Sequence, residues 1–162
     1  VVDAVDVPVL AGGGLADGRG LVAALSFGAQ GVWMGTRFIA TQEARAHENY
    51  KQKIAETDTA GTIVTRAHSG KTCRLIRNGF TDSWASREAE IEPYPLQGMH
   101  VGHPASQRGR IEGDVENGVL PAGQSSGLID DVPSAGDVVR TVMAEAKLVL
   151  SKLTADTVLA AE

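Results

Sequence analysis

The feature that most constrains this chain is a succession of strand, glycine loop, helix and strand in its first quarter. The segment Val5–Leu10 is rich in valine and leucine and leads into a run of three glycines. Such an apolar segment is typical of a parallel strand that is buried on both faces. Asp17 predicts the N-cap of a helix that stops at Gly28, and Gly31–Met34 predicts a second buried strand. Two strands joined by one helix form a βαβ unit, so we expect parallel strands and an α/β fold.

Beyond this unit the periodicity is weaker and predicts shorter elements. A polar helix is expected over residues 41–57, and two short strands over residues 62–65 and 73–78. Residues 80–127 are rich in Gly, Pro, Gln and Ser, which favours a long irregular stretch, either a lid or a segment draped over another part of the molecule. Apolar residues at helical spacing predict a closing amphipathic helix over residues 137–153.

Glycine-bearing loops follow both strands of the predicted βαβ unit. Gly13 and Gly14 come after the first strand, and Gly35 with Thr36 comes after the second. Glycine lets a ligand approach the backbone closely, and backbone N–H groups with a threonine hydroxyl are donors to an anion. The carboxyl ends of neighbouring parallel strands meet at one rim, where (β/α)₈ barrels build phosphate sites. For one loop taken alone, a tight turn without a ligand remains the alternative.

The other residues with reactive side chains give weaker signals. His100 and His103 stand in one loop without a clear third ligand, so the sequence predicts no metal site. His68 has no partner at metal-ligand spacing, and His47 is expected on a helix surface. Cys73 is the single cysteine and is expected to be a buried, inert thiol, which suits a reducing cytoplasm. No catalytic residue is assigned.

Charge and hydropathy narrow the classes of partner. A formal net charge of −5 gives no reason to expect nucleic acid or an anionic membrane as a partner. No apolar run approaches membrane-spanning length, and the amino terminus lacks a signal-peptide pattern, so we expect a cytoplasmic protein. The chain opens on Val1 and soon enters a predicted strand, which suggests a piece of a longer polypeptide.

Two stretches carry a resemblance to a known family. Residues 7–18 (VPVLAGGGLADG) and 28–38 (GAQGVWMGTRF) resemble the nitronate monooxygenases, formerly called 2-nitropropane dioxygenases. Residues 121–129 (PAGQSSGLI) resemble a late loop that returns to the flavin in that family. The resemblance implies the C-terminal part of an FMN-binding (β/α)₈ TIM barrel with a small appended region. The implied regions are residues 1–58 with the last two βα units and the phosphate loops, residues 59–120 as the appended region or lid, and residues 121–162 with the flavin-facing loop and closing helix.

The resemblance also implies a reaction and a set of cofactor contacts. The expected reaction is FMN-dependent oxidation of alkyl nitronates by dioxygen, which yields a carbonyl compound and nitrite. The catalytic base of the family is a histidine in an Ala-Gly-Gly-His type motif, which this chain lacks, so the chain alone is expected to be a poor catalyst. The residues implied in FMN binding are Gly13, Gly14, Met34, Gly35, Thr36 and Gln124.

Two other functions fit the same residues. FMN-dependent enoyl-acyl-carrier-protein reductases share the glycine loops, and would add NAD(P)H and a bulky thioester substrate. A truncated remnant would bind a phosphate, a flavin or a partner chain without turnover. Because two parallel strands leave unpaired edges, we also expect self-association or pairing with an upstream fragment.

Overall fold

A computed structural model describes residues 1–153 of the chain. Short 3₁₀ turns lie between the main elements, and a π-helical segment at Gly98–Gly102 runs directly into the fifth helix. In chain order the strands and α-helices are β1 (Leu10–Gly12), α1 (Gly18–Ser26), β2 (Gly31–Trp33), α2 (Thr36–Ile39), α3 (Glu48–Ala55), β3 (Thr62–Thr65), β4 (Cys73–Ile76), α4 (Gly79–Ala85), α5 (His103–Arg110) and α6 (Ala135–Lys152).

The first two strands and the helix between them form the predicted βαβ unit. β1 pairs with β2 in parallel, with Gly12 opposite Trp33. Asp17 is the N-cap of α1, and its carboxylate accepts a hydrogen bond from the Gly20 backbone N–H at 2.8 Å. Gly28 follows the end of the helix with a φ of 85°, a conformation that favours glycine. The predicted parallel pairing is confirmed.

The position predicted for the first strand is wrong, and one face of its sheet is uncovered within residues 1–153. Pairing covers Leu10–Gly12 rather than Val5–Leu10, because β2 offers only three partner residues and Pro8 has no N–H to donate. Helices cover one face of the sheet, where Val32 packs against the α1–α6 cluster. On the other face Leu10 is 55% exposed and Trp33 is 71% exposed, so the two strands are not buried on both sides.

The helix predicted over residues 41–57 is shorter than expected. α3 begins at Glu48 behind His47, whose ring nitrogen caps the Asn49 N–H. In the segment before α3, backbone N–H groups donate to distant carbonyls. The Gln42 N–H donates to the carbonyl of Pro133, just before α6, at 2.9 Å. The His47 N–H likewise donates to the Arg110 carbonyl at 2.8 Å. These long-range bonds replace the i to i−4 bonds that a longer helix would make.

The second sheet is the predicted short hairpin. The prediction of a long irregular stretch after it is wrong. β3 and β4 pair antiparallel, with Thr65 opposite Cys73. α4 and α5 both lie within the stretch expected to be irregular. Asn78 caps α4 through the Thr81 N–H and forms a capping box with the Thr81 hydroxyl. On α5, Gly109 lies so close to Gly118 that a side chain at either position would overlap backbone. The glycines of this region therefore permit helix packing.

The interior is divided between clusters that join distant parts of the chain. One of them includes Tyr50, Ile54, Ile76, Leu120 and Ile129, which come from all three predicted regions. A second surrounds the buried Trp84, and a third joins α1 to α6.

The closing helix holds α1 in place. α6 begins after the N-cap Ser134, close to the predicted start. The Glu145 carboxylate accepts a hydrogen bond from the Gly18 N–H at 2.8 Å, and a side chain at Gly18 would overlap the Ala146 backbone. Within residues 1–153, no helix combines the length and apolar character that crossing a bilayer requires.

Candidate functional site

The two glycine loops lie at the carboxyl ends of paired parallel strands. Gly13 and Gly14 follow β1 with φ values of 98° and 72°, which glycine tolerates and other residues rarely adopt. Gly35 follows β2 and has an ordinary φ of −85°. Apart from its neighbours in the chain, a Cβ atom added at any of these three glycines would meet no atom of residues 1–153 within 4 Å. Both loops therefore expose their backbone to free space where an anion can approach.

Thr36 joins the second glycine loop to the loop formed by residues 121–127. Its hydroxyl oxygen accepts a hydrogen bond from the Gly123 N–H at 2.9 Å. A threonine hydroxyl that accepts in this way keeps its own proton for another acceptor, such as an anion. Gln124, the next residue, is exposed at the start of a 3₁₀ turn. The fold thus brings Thr36 and the loop of Gln124 together, although they are far apart in sequence.

A buried tyrosine anchors the same loop through a hydrogen bond. The Tyr50 hydroxyl donates to the Pro121 carbonyl at 2.5 Å, and the side chain is only 1% exposed. Burial raises the pKa of Tyr50, although the positive charge of Arg110 opposes the shift, so the hydroxyl stays a donor. Inside the loop, the Ser126 hydroxyl donates to the Gly123 carbonyl at 2.9 Å. The loop beside Thr36 is therefore well anchored.

Arg37 anchors the chain that follows this loop, a role that sequence analysis missed. The side chain is 7% exposed and donates to the Asp131 carboxylate at 2.8 Å and to the Asp131 carbonyl at 2.8 Å. It also donates to the Ala40 carbonyl. A buried guanidinium needs such partners to offset the loss of hydration. Arg37 stands in the GTRF stretch that follows β2, but the sequence did not predict its pairing because Asp131 lies far along the chain.

A cavity of about 600 Å³ adjoins the second glycine loop. Met34 and Gly35 form part of its wall, and Gly35 and Thr36 also line a smaller depression of about 300 Å³ with Gly123. Gly13 and Gly14 line neither space and stand at the end of the neighbouring strand. The larger cavity is otherwise lined by Trp33, Phe38, Ile39, Ala44, Arg45, Ala46, Tyr50, Arg110 and Pro121.

Comparison with known proteins decides the family. The family model for nitronate monooxygenase matches residues 1–145. The chain belongs to the nitronate monooxygenase family. It is 45% identical over 97 residues to a probable nitronate monooxygenase of Staphylococcus haemolyticus, covering 60% of this chain and 27% of that protein. A Staphylococcus aureus relative of the same name is 37% identical over 134 residues, covering 83% of this chain and 38% of the relative. The chain thus spans between about a quarter and two fifths of these relatives.

Solved structures share the α/β fold of this chain, which spans less than half of each of them. FabK from Thermotoga maritima superposes with a TM-score of 0.84 at 38% identity, covering 94% of this chain and 48% of FabK. Nitroalkane oxidase from Streptomyces ansochromogenes gives a TM-score of 0.81 at 30% identity, covering 94% and 43%. The enoyl reductase domain of MlnA from Bacillus amyloliquefaciens, at 13% identity and a TM-score of 0.67, shows a shared fold alone. The predicted family and the predicted α/β class are confirmed.

Two arginines give the cavity of this nitronate monooxygenase family member a positive wall. Arg45 and Arg110 both line it, and neither forms a salt bridge within residues 1–153. Unpaired guanidinium groups attract carboxylate, nitronate or phosphate oxygens. Sequence analysis assigned neither residue to the site, because their separation along the chain carries no periodic signal.

The remaining candidates lie outside this cavity. His100 pairs with Glu92 at 2.7 Å on the surface, a carboxylate that sequence analysis did not connect with it. His68 and His103 line a different depression. Within the described residues, no three His, Cys, Asp or Glu side chains gather in an arrangement able to hold a metal. Cys73 is half-buried at the start of β4, and burial raises the pKa of its thiol, which keeps it protonated.

Proposed function

We propose that this chain supplies the phosphate-binding part of an FMN-dependent enzyme that oxidises alkyl nitronates with dioxygen to a carbonyl compound and nitrite. One observation carries the proposal: two open glycine loops stand at the ends of paired parallel strands in a member of the nitronate monooxygenase family. Loops in this position form the phosphate site of many (β/α)₈ barrels.

The residues present fit an FMN phosphate. Gly13, Gly14 and Gly35 leave their backbone open to a ligand, so their N–H groups would bind the phosphate oxygens. The Thr36 hydroxyl, held by Gly123, would add a donor. When bound, FMN would carry the electrons from the nitronate to dioxygen. Met34 would adjoin the phosphate, and Gln124 would reach toward the flavin from its loop.

The exposed face of the first sheet supports a place in a larger barrel. Leu10 and Trp33 lie on the face that no helix of residues 1–153 covers, and in a closed (β/α)₈ barrel that face points inward. On this proposal residues 1–58 form the last two βα units and residues 59–120 form an appended region. Residues 121–162 form the flavin-facing loop and closing helix, and the last nine of them lie outside the described residues.

Substrate binding by this chain would rely on charge. Arg45 and Arg110 line the cavity beside Gly35 and would attract an anionic nitronate. A nitronate needs no proton removed before oxidation, whereas a neutral nitroalkane does. The chain has no Ala-Gly-Gly-His motif, so we assign to it cofactor and substrate positioning and no proton transfer.

The decisive experiment measures nitrite. The complete enzyme that contains this chain should retain FMN and release nitrite from an alkyl nitronate in the presence of dioxygen. A Gly35→Val enzyme should lose both properties together. An enzyme that holds FMN but releases no nitrite from any nitronate tested would overturn the proposed reaction.

A second candidate is an FMN-dependent enoyl-acyl-carrier-protein reductase, and the likeness to FabK supports it as well as the first. Steady NAD(P)H consumption with an enoyl thioester, without nitrite release from nitronates, would establish it. A chain that binds FMN, phosphate or a second copy of itself and turns over neither substrate would instead be a binding remnant.

A further inference from the structure

The structure points to a second anion site, away from the glycine loops, in a depression of about 420 Å³ beside α5. We propose that His68, Ser106 and Arg110 bind a phosphate group there, either as free phosphate or as the phosphate end of a nucleotide. The depression has a volume in the range of about 300–1,000 Å³ that is usual for small-molecule sites. The proposal does not rest on FMN or on nitronate chemistry.

The loop that carries His68 is held in position by buried groups. Gln97 is fully buried, and its amide donates to the carbonyl of the fully buried Ala67 at 2.7 Å. The Gln97 amide oxygen accepts a hydrogen bond from the Glu92 N–H at 3.1 Å. A side chain at Gly102 would overlap the His68 carbonyl, so the loop rests directly on the start of α5. The arrangement of His68 and α5 is therefore set by close packing.

The side chains around the depression are polar or charged, with the exception of Ile111. The His68 Nε2 lies 3.3 Å from the Ser106 hydroxyl, and Arg110 stands one turn further along α5. Among residues 1–153, no carboxylate lines the depression; the lining residues are His68, His103, Ser106, Gln107, Arg110 and Ile111. Hydroxyl, amide and guanidinium groups are the donors that bind phosphate oxygens.

The electrostatic environment agrees with this assignment. Burial lowers the pKa of His68, and the neighbouring His103 and Arg110 lower it further, so the ring is neutral. A neutral imidazole keeps one ring N–H, which can donate to a phosphate oxygen. Arg110 also lines the cavity beside Gly35, so its guanidinium borders both spaces.

Two other chemistries fit the same residues less well. A serine beside a histidine suggests a hydrolytic pair, but within residues 1–153 no carboxylate is hydrogen-bonded to His68 to orient its ring. A metal site would need at least one more ligand, and the described residues contain no suitable group of three.

Histidine side-chain NMR separates this site from the glycine loops. In the full chain with labelled histidines, adding inorganic phosphate should shift the His68 and His103 resonances in a saturable way. His47, which caps α3, and His100, which pairs with Glu92, are internal controls and should move little. The same shifts should persist in a Gly35→Val chain. No saturable shift, or equal shifts at all four histidines, would overturn the proposal.

Substitutions on α5 then test the binding groups. Ser106→Ala and Arg110→Gln should each weaken phosphate binding about tenfold, because each removes a donor. Arg108→Gln removes the same charge from the same helix outside the depression, and should change binding less than about twofold. Thermal unfolding of each variant checks that it is folded. If Arg108→Gln weakens binding as much as Arg110→Gln does, a general charge effect replaces the proposed site.

A comparison of ADP with inorganic phosphate distinguishes a nucleotide ligand from the free anion. ADP that binds at least about tenfold more tightly than inorganic phosphate would identify a nucleotide as the ligand. Equal affinities would identify the free anion. Either result requires the His68 shifts described above, and their absence with both ligands would refute the site.

Discussion

Replacing Gly35 with valine separates the effect on cofactor binding from the effect on folding. Gly35 is the N-cap of α2 and has a φ of −85° and a ψ of −64°, a conformation that valine also adopts. A Cβ atom there would contact nothing within 4 Å. The added methyl groups would therefore fill free space in the fold, and that space is where the FMN phosphate is proposed to lie.

The expected magnitudes differ for the two properties. The free energy of unfolding should change by about 1 kcal/mol or less, because no contact is broken and the lost glycine freedom partly offsets a poorer cap. FMN would lose at least one hydrogen bond to a charged group, which contributes about 1.5–3 kcal/mol. Since about 1.4 kcal/mol corresponds to a tenfold change, FMN should bind about 10- to 150-fold more weakly, and steric exclusion adds to this loss.

The assay compares flavin retention with stability in the complete enzyme. The absorbance ratio of flavin to protein after purification gives retention, and quenching of FMN fluorescence gives the dissociation constant. Urea unfolding of the apoprotein gives the stability. Wild-type FMN affinity in a folded Gly35→Val enzyme would refute the placement of the phosphate.

Three further predictions concern the fold that supports the site. Gly18→Ala should lower the free energy of unfolding by about 1–3 kcal/mol, because the new methyl overlaps the α6 backbone, and an unchanged urea midpoint would contradict that contact. Asp17→Ala should cost about 0.5–2 kcal/mol at neutral pH through loss of the helix cap. Burial opposes the shift, but the Gly20 N–H and other hydrogen bonds lower the pKa of Asp17, so its stabilisation is present above the unfolded pKa and lost as the pH falls through the folded one. Variant and parent should therefore converge in stability in acid, and a constant difference at every pH would count against this explanation. Leu10→Ser combined with Trp33→Ser should reduce self-association of the isolated chain in sedimentation, since both side chains are exposed on the uncovered sheet face; unchanged sedimentation would place the contact elsewhere.

The family and the first βαβ unit could be predicted from the sequence because their signals are local. A glycine run after an apolar strand, an Asp17 cap and a second strand ending in Gly35 and Thr36 all lie within a short span. Capping and glycine conformations depend on neighbours a few residues away, so these predictions need no knowledge of distant parts of the chain. The hairpin of β3 and β4 could be predicted for the same reason, because its strands and turn are close in sequence.

Short helices and strand burial could not be predicted in this way. Gly109 of α5 resembles a loop residue in sequence, and only its contact with Gly118 shows that it allows two segments to pack closely. The residues before α3 have a helical composition, but the Gln42 and His47 N–H groups donate to remote carbonyls. The exposure of Leu10 depends on which segments cover its face of the sheet, and an apolar side chain alone does not identify them.

The sequence by itself determined the family, the parallel strand pair and the glycine loops proposed to hold a phosphate. The tertiary structure decided which groups stand beside those loops: the Gly123 N–H on Thr36, the buried Tyr50 beneath the loop, and Arg110 between two cavities. Each of these contacts joins residues far apart in the chain. Such contacts follow from how the helices and strands pack, and no local pattern in the sequence encodes them.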